Sequence, residues 1–246
     1  MPLKFSLTAL PALLTGALLL GASLAHASDE QEDVTLQPMK LSYNASLDKG
    51  ISLNGDALRI LEQWDDGTWH FRTDVDSFVA DIDESLIFRW EDNQVVPLRY
   101  RYKLSGLFIR DREEAIDFDW ENNVVSGHHE GDKFSMKLEK GAMDPMGYQL
   151  QLSQDIKAGK REMEYRVIDK GDYDTDKFAV VDEETVRING DDIRTLKAEK
   201  VRDSDSKRES LMWFAPERDY LLIRFLQVEP DGSEYELTIS DAKVGR

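Results

Sequence analysis

The sequence predicts a mainly β fold: a curled or barrel-like antiparallel meander sheet with one α-helix packed on it. Apolar and polar residues alternate along many short segments, as they do in half-buried strands. Turn sequences such as DDG, EDN, NGDD and EPDG separate these segments at close, regular spacing. A single segment has helical spacing instead. This combination is typical of an antiparallel sandwich or barrel with one added helix.

The alternation of period two is clearest in two segments. MKLSYNASL and VVPLRYRYKL each place five apolar or aromatic residues on one face: Met39, Leu41, Tyr43, Ala45 and Leu47 in the first, and Val96, Leu98, Tyr100, Tyr102 and Leu104 in the second. Further strands are predicted at ALRILEQW, TWHFRTDV, SLIFRWED, AIDFDWE, KFSMKLE, MEYRVID, KFAVVDE, TLKAEKV, ESLMWFA, YLLIRFLQVE and YELTIS.

The segment LRYRYKLSGLFIRDREEA predicts a hairpin whose register follows from charge. A three-residue turn sets Arg101 opposite Asp111, whereas a two-residue turn sets it opposite Arg110. Like charges directly opposite each other are destabilising, so we expect the three-residue turn. Tyr100 and Tyr102 then face the core.

The segment DPMGYQLQLSQDIKAG predicts one helix over residues 145–157. Asp144 is a suitable N-cap, a proline takes the first helical position, and Gly159 follows the last turn as a stop signal. The apolar stripe is formed by Met146, Leu150 and Ile156. We expect this stripe to pack against the sheet.

The N-terminal segment has the build of a secretory signal peptide, residues 1–27, cleaved after Ala27. It contains one cation, Lys4, then an apolar stretch and the small-residue sequence Ala-His-Ala. A membrane anchor is the alternative, but Pro11 and Gly16 interrupt the apolar stretch. We expect a mobile acidic lead over residues 28–36 and a single β-rich domain over residues 37–246. The expected location is the periplasm, with secretion from the cell as the alternative.

Composition excludes several kinds of partner and site. The chain has no cysteine, so it forms no disulfide and no thiolate metal site. Its 49 acidic and 31 basic residues, with a formal net charge of −18, argue against nucleic acid as a partner. No apolar run after the leader is long enough to cross a bilayer, and no motif indicates a cofactor.

An ordered series of segments resembles one family. The series is PLRYRYKLSG, IDFDWENN, DPMGYQLQLSQDIKAG, MEYRVID, TLKAEKVR and LMWFAPERDYLLIRFLQVEPDGSEYELTIS. It is similar to the domain of unknown function 3108 family of exported bacterial envelope proteins. The resemblance implies an envelope location and a predominantly β fold with one helix, and it implies no catalytic residues.

The sequence lacks familiar catalytic motifs, which predicts that the chain is not an enzyme. It has no Gly-x-Ser-x-Gly sequence, and only three histidines follow the leader. His128 and His129 are adjacent, so in a strand they point to opposite faces and do not share a metal. Asp117 and Asp119 share a strand face, which we interpret as a solvated face in this acidic chain.

The stretch DKGDYDTDKFAVVDEE raises the question of a calcium site. Asp172, Asp174, Asp176 and Glu183 fit the first, third, fifth and twelfth positions of an EF-hand loop. The sixth position requires glycine and holds Lys177 instead. The sequence therefore favours a solvated hairpin connection without a metal, and these four residues are the metal candidates if that interpretation is wrong.

Three functions are compatible with these patterns. The first is a non-catalytic periplasmic protein that binds an apolar or amphipathic, lipid-like ligand in its curved sheet. Its candidate ligand contacts are the five tryptophans, although aromatic side chains usually fill cores: Trp64, Trp69, Trp90, Trp120 and Trp213. The second is a protein–protein adaptor or scaffold of the envelope. The third is an enzyme without a familiar motif.

Overall fold

Antiparallel strands make up most of the described part of the chain. The computed structural model describes residues 35–48, 52–77, 80–107, 110–202 and 207–245. These residues fall in a single unit by their contacts. The predicted signal peptide lies outside the described residues. Within the described residues, no helix has the length and apolar character needed to cross a membrane.

In the described part of the chain, fifteen strands form one sheet, in the spatial order β8-β7-β6-β5-β4-β3-β2-β1-β15-β14-β13-β12-β11-β10-β9. The strands are β1 Met39–Asp48, β2 Ser52–Gln63, β3 Trp69–Ser77, β4 Ala80–Glu91, β5 Gln94–Gly106, β6 Arg112–Asp119, β7 Val124–His129, β8 Asp132–Lys137, β9 Ala142–Met143, β10 Glu162–Asp169, β11 Asp172–Ile188, β12 Asp191–Lys200, β13 Glu209–Ala215, β14 Leu221–Val228 and β15 Glu234–Val244. All pairs are antiparallel except β9 with β10. The predicted antiparallel meander is confirmed.

The sheet curls until its two ends meet. The Tyr173 hydroxyl, on β11, accepts a hydrogen bond from Glu139 N at 2.9 Å and donates one to Lys137 O at 3.0 Å, at the end of β8. The turn before β11 also contacts β6, where Glu114 Oε1 accepts from Lys170 N at 2.7 Å. Side chains therefore bridge the ends of a barrel-like sheet, as the predicted fold class requires.

The predicted register of the β5–β6 hairpin is wrong by four residues. Arg101 lies opposite Ala115, not Asp111, and Tyr100 lies opposite Ile116. The predicted register would have put Arg112 opposite the buried Tyr100, so burial of an apolar pair decides the alignment. Tyr100 and Tyr102 pack on the core side, as predicted.

The inner face of β5 changes partway along the strand. The register shifts between Ile87/Arg99 and Phe88/Pro97, so Leu98 is an extra residue on β5. Before this bulge Val95, rather than the predicted Val96, is buried. A bulge inserts one residue and so reverses the alternation on either side of it.

One α-helix, α1 (Gly147–Lys157), lies inside the curl. It begins two residues later than predicted, because Asp144 Oδ1 accepts from Met146 N and Gly147 N, both at 2.9 Å. All three residues of the predicted apolar stripe are buried. Leu152 and Gln151 are buried as well, so the helix is enclosed on more than one face.

The buried apolar residues form three clusters. The first cluster is Leu36, Leu61, Trp69, Phe71, Leu86, Phe88, Val95, Tyr100, Ile116, Phe118, Val125, Leu138, Ala142, Met146, Leu150 and Ile168. The second cluster is Met143, Leu152, Ile156, Met163, Tyr165, Val167, Phe178, Leu196, Ala198, Met212, Phe214 and Leu222. The third cluster is Leu41, Tyr43, Ala57, Ile188, Ile193, Leu211, Trp213, Ala215, Leu221, Ile223 and Ile239. The helix contributes to the first two, so it ties the two halves of the sheet together.

Gly127→Ala tests the tight approach of β6 and β7. A Cβ at Gly127 would lie 1.8 Å from Ala115 O, a backbone atom that cannot rotate away. We expect the substitution to lower the free energy of unfolding by about 2 kcal/mol or more, measured by urea denaturation. Ser126→Ala, at the neighbouring half-exposed position, is the control. An unchanged midpoint for Gly127→Ala would contradict this packing.

Candidate ligand site

A small cavity lies where α1 meets strands β1, β2, β13 and β14. Its volume is about 50 Å³, whereas pockets for small molecules measure about 300–1,000 Å³. The apolar wall is formed by Leu36, Leu41, Leu61, Phe71, Leu150, Phe214 and Leu222. This cavity is therefore almost filled, and its remaining space is enough for one or two water molecules at about 30 Å³ each.

Arg59 is a buried charged side chain in this mostly apolar wall. Arg59, on β2, is only 6% exposed. Its Nε donates to Thr73 Oγ1 at 3.2 Å and its Nη2 donates to Gln149 Oε1, on α1, at 3.1 Å. Its guanidinium lies 4.6 Å from the centre of the Phe71 ring. All of these partners are neutral.

No carboxylate in the described part of the chain lies within ion-pair distance of Arg59. Glu84 is near enough to be affected: burial raises the pKa of its carboxyl, and the positive charge of Arg59 opposes that rise. Glu84 Oε1 accepts its hydrogen bond from the Tyr100 hydroxyl, at 2.8 Å. The carboxylate in the cavity wall, Asp219, pairs with Lys157 at 2.5 Å.

Tyr43 completes the polar part of the wall. It is 1% exposed, and its hydroxyl donates to Leu222 O at 2.8 Å. Burial raises the pKa of this phenol to about 12, while the nearby Arg59 acts to lower it. The hydroxyl is therefore neutral at physiological pH and does not compensate the charge of Arg59.

The segment that precedes β1 covers the cavity. Thr35, Leu36 and Gln37 form part of its lining, and Leu36 is only 5% exposed. Pro38 O accepts from Gly245 N at 2.8 Å, which holds the segment beside the end of the last strand. Leu36 is the last residue of the predicted mobile lead, and the structure packs it into the first cluster.

A second polar group lies at the start of α1. Asp144 is completely buried, and Oδ1 accepts the two helix N–H groups. Oδ2 has no hydrogen-bond partner among the described residues. Burial raises the pKa of this carboxyl to about 7, more than the two N–H bonds lower it. An acid whose pKa lies near 7 therefore caps the start of the helix.

The five tryptophans do not meet at one place. Trp69, Trp90 and Trp120 pack in or against the first cluster, and Trp213 lies in the third. Trp64 is 42% exposed. None of the five is among the described residues that line the cavity. A role for them in ligand binding stays a prediction.

The acidic stretch is a strand rather than the hairpin connection that the sequence predicted. Asp172, Asp174, Asp176 and Glu183 all lie in β11, and the turn consists of residues 170–171, both at positive φ. Two consecutive residues at positive φ form the favoured two-residue hairpin turn, which moves the connection upstream.

The side chains of this stretch have other partners. Asp172 and Asp174 accept from the next backbone N–H, at 2.8 and 2.7 Å. Asp176 is buried and lies 2.6 Å from Lys200 Nζ, and Glu183 lies 2.9 Å from an Arg194 nitrogen. Within the residues that the structure describes, no three histidine, aspartate or glutamate side chains are grouped to hold a metal.

His128 and His129 lie in β7 beside different carboxylates. His128 Nδ1 is 3.9 Å from Glu113 and His129 Nδ1 is 3.6 Å from Glu114. Asp117, on the neighbouring strand, is held by Arg101 Nη2 at 2.9 and 3.0 Å. These contacts are consistent with ion-pairing roles on the sheet.

Comparison with known proteins identifies the family. The model of a family described as "Protein of unknown function (DUF3108)" matches residues 43–240, most of the chain. The chain belongs to the DUF3108 family. No curated protein matches the sequence.

Two solved structures match this DUF3108 chain to different degrees. A β-barrel-like protein of domain of unknown function DUF1849 from Brucella abortus has a TM-score of 0.56 and 13% identity, covering 86% of this chain and 99% of its own. A putative outer membrane lipoprotein-sorting protein domain from Vibrio parahaemolyticus has a TM-score of 0.23 and 10% identity, over 84% of this chain and 85% of its own. The first supports the barrel-like fold of this DUF3108 chain.

Sequence reasoning missed Arg59 and Leu36 in this DUF3108 chain. A signal for Arg59 is present in ALRILEQW: Ala57 and Leu61 are buried two residues before and after it, so the arginine lies on the apolar face of β2. A charge on the buried face of a strand is unusual. For Leu36, the alternation upstream of β1 is out of phase with the buried positions of that strand, so it does not extend the strand and the sequence has no comparable signal.

Asp144→Asn tests the buried acid. The folded-state pKa of about 7 lies above the usual value, so the wild type loses stability as pH rises from about 4 through 7. Asparagine keeps the capping oxygen and does not titrate. The stability of the variant relative to wild type should therefore increase by about 3 kcal/mol between about pH 4.5 and pH 8. Urea denaturation at both values measures this, with the exposed Asp174→Asn as control; parallel pH profiles would contradict it.

Calcium should have little effect on this DUF3108 domain. The aspartates of β11 bond to backbone N–H groups or to Lys200, so we expect millimolar calcium to shift Tm by less than about 1 °C. Differential scanning fluorimetry with and without a chelator measures the shift. A large calcium-dependent rise that Asp174→Ala abolishes would show that the stretch is a metal site.

Proposed function

We propose that the protein is a non-catalytic protein of the bacterial cell envelope that binds an amphipathic small molecule at the cavity beside α1. The observation that carries this proposal is the pairing of Arg59 with Gln149 in a wall that consists mostly of apolar side chains. Ligand sites in proteins are mostly apolar concavities with a few placed polar groups. The junction of the helix and the curled sheet has that composition.

The site has to open before it accepts a ligand larger than water. Leu36 is the side chain best placed to move, because residues 35–38 belong to no strand or helix. Its burial against Leu61, Phe71 and Leu150 is apolar and so replaceable by the chain of an amphiphile. The backbone bond between Pro38 and Gly245 lies outside this contact and need not break.

Different observations support the proposed envelope location and the proposed lack of catalytic activity. The signal-peptide pattern of residues 1–27 and the envelope location that the family resemblance implies support this location. The polar groups at the cavity include the guanidinium of Arg59 and the amide of Gln149, which bond to each other, and the Tyr43 hydroxyl, which is held neutral. The Asp219 carboxylate pairs with Lys157. None of these is a nucleophile paired with a base.

A second candidate function is a protein–protein adaptor. The observation that favours it is the small volume of the cavity, about 50 Å³, because a filled interior leaves the outer surfaces as the means of recognition. In that case Leu36 is a permanent core residue, and the interior serves only stability.

Probe binding to wild type and Leu36→Ala separates the two functions. A ligand that displaces Leu36 has to remove its burial, which is worth about 2 kcal/mol, so the alanine variant should bind a fluorescent fatty-acid probe about thirtyfold more tightly. Leu107→Ala is the control, since Leu107 is 53% exposed. Native mass spectrometry of protein purified from its host envelope should show a bound amphiphile. No probe uptake by either variant at micromolar protein, and no bound amphiphile, would leave the adaptor.

A further inference from the structure

We propose that the ligand is an anionic amphiphile whose head group pairs with the buried guanidinium of Arg59 and whose chain takes the place of Leu36. This inference rests on the proposed function and names the ligand class of the same site. It assigns Arg59 as the residue that determines specificity for charge.

The first argument is the cost of burying a charge. Arginine is rarely buried to this degree without a carboxylate, because a desolvated cation is stabilised mainly by an opposite charge. Arg59 is only 6% exposed. Its partners are a hydroxyl, an amide and an aromatic ring. The protein therefore carries a buried cation whose counterion is not among the described side chains that touch it.

Other arginines of this acidic chain show the usual arrangement. Arg101 contacts Asp117 at 2.9 Å, Arg208 contacts Glu229 at 2.9 Å and Arg224 contacts Glu236 at 2.6 Å. The chain has 49 acidic residues, so carboxylates are abundant. Arg59 is buried, and among the described side chains its contacts are neutral.

The second argument is the geometry at Gln149. A guanidinium presents five N–H groups in a planar fork that matches the two oxygens of a carboxylate. Gln149 Oε1 occupies one acceptor position of this fork, 3.1 Å from Nη2. Its Nε2 donates to Pro145 O at 3.0 Å, so the amide is held on the helix by a separate bond. Gln149 Oε1 thus lies where an oxygen of the ligand would bind.

The third argument is that Glu84 does not take this position. Its carboxylate is beyond ion-pair distance from Arg59 and accepts a bond from Tyr100 instead. Burial raises the pKa of Glu84, with Arg59 opposing the rise. An anion on Arg59 would add to this effect, so ligand binding should shift the Glu84 carboxyl further towards its protonated form.

The experiment compares ligands that differ only in the head group. Isothermal titration calorimetry on the mature chain at about pH 8, where a carboxylate is ionised, uses dodecanoate, dodecyl phosphate and dodecan-1-ol. Wild type should bind dodecanoate at least about tenfold more tightly than the alcohol, as expected for a charge-assisted hydrogen bond. The phosphate arm shows whether the pocket prefers a carboxylate or a phosphate head group.

Variants test whether Arg59 is the cause. Arg59→Gln should bind dodecanoate and dodecan-1-ol within about twofold of each other, and Arg59→Lys should keep part of the preference. Arg89→Gln is the control, because Arg89 is exposed and pairs with Glu91 at 2.9 Å. If Arg59→Gln does not fold, the wild-type comparison and Arg59→Lys decide the result.

The outcomes separate this inference from the proposed function. Equal binding of dodecanoate and dodecan-1-ol by wild type would overturn the role of Arg59 and leave the amphipathic ligand standing. Undiminished preference for dodecanoate in Arg59→Gln would overturn it as well. Binding of none of the three compounds would overturn both.

Discussion

The enclosure of α1 inside a curled sheet is the constraint on which the rest of the structure depends. A helix in this position buries some of its polar side chains, and these must bond to the sheet. Gln151 does so through Val95 N at 2.8 Å and Asn93 O at 3.1 Å, and Asp155 through the Tyr165 hydroxyl at 2.8 Å. These bonds fix the helix along its length. Because the helix then fills the curl, the space left for any ligand is confined to its margin, where Arg59 lies.

Much of the fold could be predicted from the sequence, because alternation and capping are local. The strands, the single helix and its stop at Gly159 follow from patterns of a few residues. The β5–β6 register depends instead on which buried residue of β6 lies opposite Tyr100. Seven residues separate the last paired positions, Leu104 and Arg112, and a connection of that length is compatible with several alignments of similar charge pairing. The bulge at Leu98 could not be predicted either, because it reverses the alternation of buried and exposed residues and no residue pattern in the sequence indicates it.

The candidate site could be predicted only in outline. A curved sheet with an apolar interior follows from the strand pattern, but which inner positions approach the helix does not. Arg59 and Gln149 are 90 residues apart and meet only in three dimensions. The tryptophans were ligand-contact candidates because of their residue type alone, and in the structure they lie in separate environments. The DUF1849 structure has the same type of fold at 13% identity, so the fold is compatible with very different interior side chains and does not itself define function.

The pairing of β1 with β15 has a consequence for how the chain reaches this structure. Met39 lies opposite Val244, so the middle of the sheet joins residues from the two ends of the described chain. A ribosome releases the N-terminal end first, and β1 can pair with β2 early, but its other edge waits until the last strand has been synthesised. Until then a long unpaired edge is exposed to pairing with other chains. Folding of the central sheet is thus a late, non-local step, and a growing chain has to be kept apart from its neighbours for nearly the whole of its synthesis.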